Sequence, residues 1–574
     1  MPVMRYLAKA LFLAVALGTA FPPCAGEAAS ETAENEAAQM TPGVPLRPVP
    51  RPKAGQGSPG PSRETPHKGN PPEPARPGPD GIVIGARNLL WVPAAARYLA
   101  LMDLENAGAR GRLFGPRLER TAALYLNRLA AQGRAAGLSG VLYDNRDRGH
   151  SRLSPELFPQ LTPVIYGDDL EKRGLDYGLA ESILFPAITL GNSSTAITAG
   201  RQPRSLPRLA MTRPGGALRA LQTYAANHIY VYPEHRDHDA TDRFPANWPY
   251  MLISQGSSGS DRPFLEVVAL ILASFTPETR ARLEAEHLVA AAVQMVFRRA
   301  QTTVRSRAAY LSGAAHPTAF DKSAINPTRM MALAQSLAPE TIPPQVVLQV
   351  ESEDFRPRAG LAGRSERLFD TPAAIARIWR GLEWEREMVV SAAQTKDPND
   401  RPLTFIWVLL RGDPERVRIV PLDESGSRAR ITVNWQDERQ IVPGDPRTSS
   451  RVDIGVFADN GAHLSAPAFV SVSFPTHQKR RYAPVSDGGM RLVEIDYDAA
   501  ARKTAFDPAL HWTAPWQDRF RYGADGSLVG WERRLRDKVL HFTAGGKLRG
   551  GVPVAYELTP RSEMKMRVGK ATGD

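Results

Sequence analysis

The stretch "HIYVYPEHRDHDATDRFPANWPYMLISQGSSGSDRPFLEVVALIL", residues 228–272, decides how the body of this chain is read. It opens with an apolar-aromatic run, His228–Tyr232, of strand character. A loop dense in acids and imidazoles follows: Glu234, His235, Asp237, His238, Asp239 and Asp242. A second short strand, Tyr250–Ser254, leads into the turn "QGSSGSD", and a helix opens at Pro263. Strand, Gly-Ser loop and helix form the frame in which backbone N–H groups converge on an anion. The same frame presents a serine at a sharp turn. Two further polar loops follow short apolar strands, "YDNRDRGHSRL" at 143–153 and "GNSSTA" at 191–196. Loops at strand ends gather into sites, so the expectation is one cleft in which the 234–242 loop and the 255–261 turn meet at least one of the 144–150 and 191–196 loops.

Three chemistries compete for that cleft. As a serine-type hydrolase, Ser257 or Ser258 attacks, His235 or His238 moves the proton, and Asp237 or Asp239 orients the ring. Neither serine has glycines two residues away on both sides, as the familiar elbow requires. As a binding loop, Asp144, His150, Asn192, Ser193, Gly256 and Gly259 hold a sugar or an anion. No lysine follows the glycines, which excludes a phosphate loop of the P-loop type. As a metal site, Asp237, Asp239 and Asp242 offer oxygen donors to a divalent cation, without a zinc or calcium-hand spacing. The remaining reading is a polar loop in which Arg236 and Arg243 pair with these acids.

The flanking sequence sets the frame. A chain of 574 residues is too long for one core,. Its formal charge is +12, carried by 60 Arg and 12 Lys scattered along the chain with no nucleic-acid-binding motif. The start, "MPVMRYLAKALFLAVALGTAFPPCAGEAAS", has a basic n-region, a short apolar run and small residues, the pattern of a signal peptide over 1–26,. Phe21-Pro22-Pro23 is a poor context for acylation of Cys24, the sole cysteine. No other segment is apolar enough to span a bilayer, so the expected location is periplasmic or secreted. Residues 27–80 read as a Pro/Gly-rich linker; 41–80 alone hold thirteen Pro and six Gly, too few large apolar groups to fold.

From 81 to 395 the reading is a mixed α/β domain whose second half is helical. "GIVIGARNLLWVPAAARYLAL" reads as a strand and then a helix. Leu118, Ala122, Tyr125 and Leu129 share one helical face. Thr276-Pro277, Asn326-Pro327 and Thr371-Pro372 each read as a cap before a first-turn proline. The last of them predicts a helix burying Ile375, Ile378, Trp379 and Leu382. A boundary open to proteases is expected at 395–402.

Beyond it the period changes to two. "PLTFIWVLLRGD" and "VDIGVFADNGAHLSAPAFVSVSF" resemble the polycystic-kidney-disease-type immunoglobulin-like domain of exported bacterial proteins, over about 402–476. The resemblance implies an antiparallel β-sandwich used for spacing, adhesion or polysaccharide contact, and no catalytic residue. The tail, 490–560, reads as hairpins with turns at Asp525-Gly526 and Gly545-Gly546, and Arg533, Arg534, Arg536 and Lys538 read as a solvated face. The fold class is multidomain α+β. The function read from these features is an exported hydrolase of an envelope polymer or ester. The alternatives are a non-catalytic polysaccharide- or polyanion-binding envelope protein and a metal-binding structural protein.

Overall fold

Six short apolar runs form the central sheet. The computed structural model describes residues 72–569 apart from 106, 108–111, 116–120, 198–202, 443, 486–487, 499–506 and 508. The expected signal segment and most of the linker lie outside the described residues. The strands are β1 (Gly81–Ile84), β2 (Leu142–Asn145), β3 (Thr162–Tyr166), β4 (Thr189–Asn192), β5 (His228–Pro233) and β6 (Leu252–Ser254). All are parallel, in the order β1-β3-β2-β4-β5-β6. Pro77–Gly78 adds a short antiparallel edge beside β1. A parallel sheet is covered on both faces, and β4 and β5 are buried at every position. The chain moves from β2 to β3 on one side and from β4 to β5 on the other. Such a reversal opens a crevice at the carboxyl ends of the strands, where open α/β sheets bind ligands.

The longer helices are α1 (Thr121–Ala131), α2 (Leu206–Thr212), α3 (Gly216–Ala225), α4 (Arg262–Ser274), α5 (Pro277–Ala285), α6 (Val289–Arg299) and α7 (Pro327–Ser336). Thr276 and Asn326 cap α5 and α7 by accepting the N–H of Thr279 and Arg329, contacts that contribute about 1 kcal/mol each. Among the described residues no helix is long and apolar enough to cross a membrane.

Two expectations in this region need correction. Residues 89–100 form a hairpin, Leu89–Val92 against Arg97–Ala100, because Pro93 and the left-handed Ala96 close a tight turn between them. On α1 the buried residues are Ala123, Leu126 and Leu129, while Tyr125 is exposed. The face is rotated by one position, and Leu118 lies outside the described residues.

The β-sandwich starts earlier than the change of period suggests. One sheet is β7 (Gln349–Glu353), β10 (Glu385–Ser391), β13 (Arg428–Asn434) and β12 (Val417–Pro421), in that order. The other is β8 (Arg367–Thr371), β9 (Ala374–Ile378), β15 (Ala468–Ser473), β14 (Arg451–Asp459) and β11 (Thr404–Arg411). All neighbours are antiparallel except β9 and β15. The helix expected after Thr371-Pro372 is therefore the strand β9. Its five residues are all buried between two neighbours, and tertiary burial overrides the local signal. Thr371 serves the turn instead: its hydroxyl accepts from Tyr250 and donates to the Ala374 carbonyl.

Within the 395–402 segment the backbone is fastened at Asp397. The Asp397 carboxylate accepts from the N–H of Asn399 and Arg401 and from the Asn460 amide. Body and sandwich share one apolar core, with Trp248, Phe264 and Phe297 continuous with Ile375, Trp379, Ile454 and Val470.

The tail is a five-stranded antiparallel sheet, β16 (Lys479–Pro484), β17 (Met490–Asp496), β18 (Gln517–Tyr522), β19 (Leu528–Leu535) and β20 (Lys538–Thr543). A hairpin, β21 (Val554–Leu558) and β22 (Met564–Val568), follows. Asp525-Gly526 turns β18 into β19, with Gly526 at φ +78°. Arg533 is not on a solvated face. It is fully buried, bidentate to Asp518, and stacked on Trp516 and Phe542.

The strand assignment of β9 has a direct test. Trp379 is fully buried, 5.3 Å from Phe474 and 6.0 Å from Trp435 between ring centroids, whereas Leu382 is 37% exposed. Trp379→Ala is expected to cost about 3–5 kcal/mol. Leu382→Ala should stay within about 0.5 kcal/mol. Urea denaturation measures both, and equal losses would indicate the helical face instead.

Candidate functional site at the carboxyl edge of the parallel sheet

The floor of the site is a buried polar network. Asp144, on β2, accepts from the Tyr166 hydroxyl of β3 at 2.8 Å and the Tyr230 hydroxyl of β5 at 2.5 Å. Arg146 lies 3.5 Å from the same carboxylate and donates to Tyr166 and to the Leu175 and Gly178 carbonyls. Burial pushes both phenols far up, so they remain donors,. Asp144, a ligand-binding candidate by sequence, is instead enclosed and saturated by this network and ties three strands together.

One step further out, Asn145 and Asn192 stand opposite each other in register. The Asn145 amide donates to Asn192 Oδ1 at 3.2 Å and to the His150 carbonyl at 2.9 Å. Asn192 Nδ2 donates to Asp261 Oδ2 at 2.7 Å, at the start of α4. Burial raises the Asp261 carboxyl, and the Asn192 amide opposes the rise.

The four loops meet at Ser194. Asp147 Oδ2 accepts both the N–H of Ser194, at 3.0 Å, and its hydroxyl. His150 Nδ1 lies 3.2 Å from the same hydroxyl and 3.6 Å from Asp147 Oδ2. On the other side, His235 Nε2 donates to the Ser194 carbonyl at 2.7 Å, and the Ser258 hydroxyl donates to it at 3.4 Å. A carbonyl only accepts, so the His235 proton sits on Nε2. His150 is exposed, His235 is half-buried and Ser194 is buried. Backbone strain collects here too. Of ten non-glycine residues at positive φ among the described residues, Arg148, Ser151, His235 and Arg236 belong to these loops. Such strain persists only where surroundings hold it, and it concentrates at functional sites.

Glu234 closes the cluster from below. It is buried, and its two oxygens accept from the N–H of Gly256 and of His238 at 3.0 and 2.8 Å. Burial pushes its carboxyl up to about 7 although both N–H groups favour the charged form. It therefore exchanges a proton near neutral pH, the range suited to proton transfer.

The residues singled out in the sequence separate into two groups. His150, Asn192, His235, Gly256 and Ser258 are in or against the cluster, and Gly256 and Gly259 adopt φ +119° and +91°, which favour glycine,. Ser257 is exposed on the same turn, while the Ser193 hydroxyl turns to Thr195 at 2.8 Å. Among the described residues neither the Ser257 nor the Ser258 hydroxyl bonds an imidazole. The serine–imidazole contact is made by Ser194 and His150 instead. Asp237 points away, to Arg208 at 3.0 Å and the Ser205 N–H at 2.8 Å. His238 is buried with Nδ1 3.6 Å from Asp242.

The metal reading is corrected by the same geometry. Asp237 is taken by Arg208, Asp242 by Arg411 and Arg451, and Asp239 is exposed. Among the described residues no group of three or more His, Cys, Asp or Glu converges to hold a metal ion. Among the described residues no ion pair joins Arg236 or Arg243 to these acids. Asn145, Asp147, Ser194 and Asp261 carry the cluster and were not singled out as site residues. The usable signal was the Asp147–His150 spacing of three after one strand and the Ser-Ser pair after another.

Glu234 gives a pH prediction. Its folded-state value of about 7 lies above the ordinary 4.5, so the folded state holds the proton more tightly. Stability from this group is complete at low pH and is lost as pH rises from about 4.5 to about 7, a change of about 3 kcal/mol. Glu234→Gln removes that dependence. The stability of the variant relative to wild type is expected to climb by that amount across this range, measured by urea denaturation at each pH. A difference that stays flat rejects the buried carboxyl's raised affinity for its proton.

No protein-family model matches this chain, and no curated protein matches it. Among solved structures, a nucleoside hydrolase-related protein of Saccharophagus degradans associated with carbohydrate metabolism is similar at 11% identity, over 50% of this chain and 71% of that one, with a TM-score of 0.17. Similarity at that level carries no argument about this chain.

Proposed function

We propose that this chain is an exported hydrolase of the serine type, acting on an ester or ester-bearing envelope polymer. One observation carries the reading. The Ser194 hydroxyl lies between the His150 imidazole and the Asp147 carboxylate, at the point where the parallel sheet reverses its order. In this reading Ser194 Oγ attacks the acyl carbon and its proton passes to His150 Nδ1, where the imidazolium so formed lies 3.6 Å from the Asp147 carboxylate,. The acyl group moves to Ser194, the alcohol leaves with the proton, and water then releases the acid and restores the serine. Glu234, next to His235 at the start of the same loop, is a second group able to exchange a proton near neutral pH. The sandwich is proposed as an immunoglobulin-like module of the polycystic-kidney-disease type, and the expected location is periplasmic or secreted.

A second reading has its own support. Asp147 accepts both the N–H and the hydroxyl of Ser194, as a carboxylate does when it fastens a loop. In that case the edge binds a polysaccharide or polyanion without turnover.

Hydrolysis of p-nitrophenyl acetate separates the two. The hydrolase reading expects Ser194→Ala and His150→Ala to lose about 100-fold or more in kcat/KM. Ser257→Ala and Ser258→Ala should stay within about threefold. A Ser258→Ala loss with an active Ser194→Ala contradicts it. An inert wild type that still binds polysaccharide leaves the binding reading.

A further inference from the structure

The acidic-imidazole loop has two halves with different partners. Its first half, Glu234 and His235, faces Gly256 and Ser194. Its second half is held by the sandwich. Thr241-Asp242 pairs in parallel with Thr448-Ser449, and the Thr448 N–H donates to the Ala240 carbonyl at 2.9 Å. Asp242 is buried against Arg411 and, at 3.0 Å, Arg451. Arg451 also holds Asp453 and donates to the Phe244 carbonyl. Beyond this, the Ser471 hydroxyl accepts from the N–H of Asn247 and donates to Asp453. A separate contact reaches the neighbouring loop: Arg447 donates to Gln255 Oε1 at 3.1 Å while its guanidinium is bidentate to Asp445.

We propose that the sandwich is part of the functional site, with Arg411, Arg451 and Thr448 as positioning residues that act through Asp242 and Ala240 on Glu234 and His235, and with Arg447 positioning the Gly-Ser turn through Gln255. The physical case is one of connection and cost. The Glu234 carboxylate accepts from the His238 N–H, and the His238 ring lies against Asp242. One residue, His238, therefore links the Glu234 carboxylate to the interdomain ion cluster. Burial alone would raise the Asp242 carboxyl; Arg451 and Arg411 instead hold it well below the usual carboxylate range. A buried charge that loses a partner is strongly penalised, so the loop has few positions that keep the cluster intact. The sandwich acts here as a wall of the site rather than a tethered spacer.

Hydrogen-exchange mass spectrometry on the full chain tests this. In Arg451→Met, amide exchange over 234–239 is expected to rise about tenfold or more while 228–233 stays protected, with Arg451→Lys restoring much of the protection. If Arg451→Met fails to fold, Arg447→Ala decides: its side chain is partly exposed, and exchange over 255–259 should rise with no change in Tm. Unchanged exchange over these loops, or an equal rise in every segment, overturns the proposal. It rests on the proposed function only in taking the Ser194 edge as the site. Loss of ester hydrolysis in Ser194→Ala with unchanged exchange in the arginine variants leaves that function and removes this inference. Altered exchange without ester hydrolysis does the reverse.

Discussion

The pairing of β2 with β4 is the constraint on which the candidate site depends. It sets Asp144 against Gly191 and Asn145 against Asn192. Gly191 is required there for space: a Cβ would stand 2.2 Å from the Tyr230 ring and 2.8 Å from the Asp144 carbonyl. Because nothing fills that space, Tyr230 can pass across β4 to reach the Asp144 carboxylate. Asp144 then ties β2 to β3 through Tyr166 and to β5 through Tyr230. With the strand ends in register, the loops that leave them have little freedom, and their polar groups converge on Ser194.

The second constraint is the large number of buried arginines. Arg97, Arg146, Arg298, Arg377, Arg386 and Arg533 are among the largest fully buried side chains. Burying a guanidinium is costly unless it is paired or hydrogen-bonded, and each domain meets the cost with local partners. Arg386 holds Glu366, Arg377 holds Glu353 and Asp370, and Arg533 holds Asp518. Arg411 and Arg451 differ in reaching across to the body. Their ion pairs with Asp242 and the shared apolar core join the body to the sandwich.

What could be read from the sequence was what local rules govern. The strand at 162–166, the caps at Thr276 and Asn326, and the strand–loop–helix at 228–272 each follow from neighbours within a few residues. The meeting of the polar loops was also legible, since each follows a short apolar strand and parallel neighbours send their loops to one edge. Three things were not legible. The run Ala374–Ile378 fits a helical and a buried-strand pattern equally, and only its neighbours β8 and β15 choose. Asp237 and Asp242 take arginines 29 residues or more away, which no local spacing reveals. And the choice of Ser194 over Ser257 or Ser258 depends on which loop lies beside His150, a matter of sheet order rather than of the loop's own residues.

Labelling the full chain with a fluorophosphonate, followed by peptide mapping, tests the central claim most directly. The account predicts a single adduct, on Ser194, that disappears in His150→Ala. An adduct on Ser257 or Ser258, or labelling of Ser194 that is indifferent to His150, would contradict it.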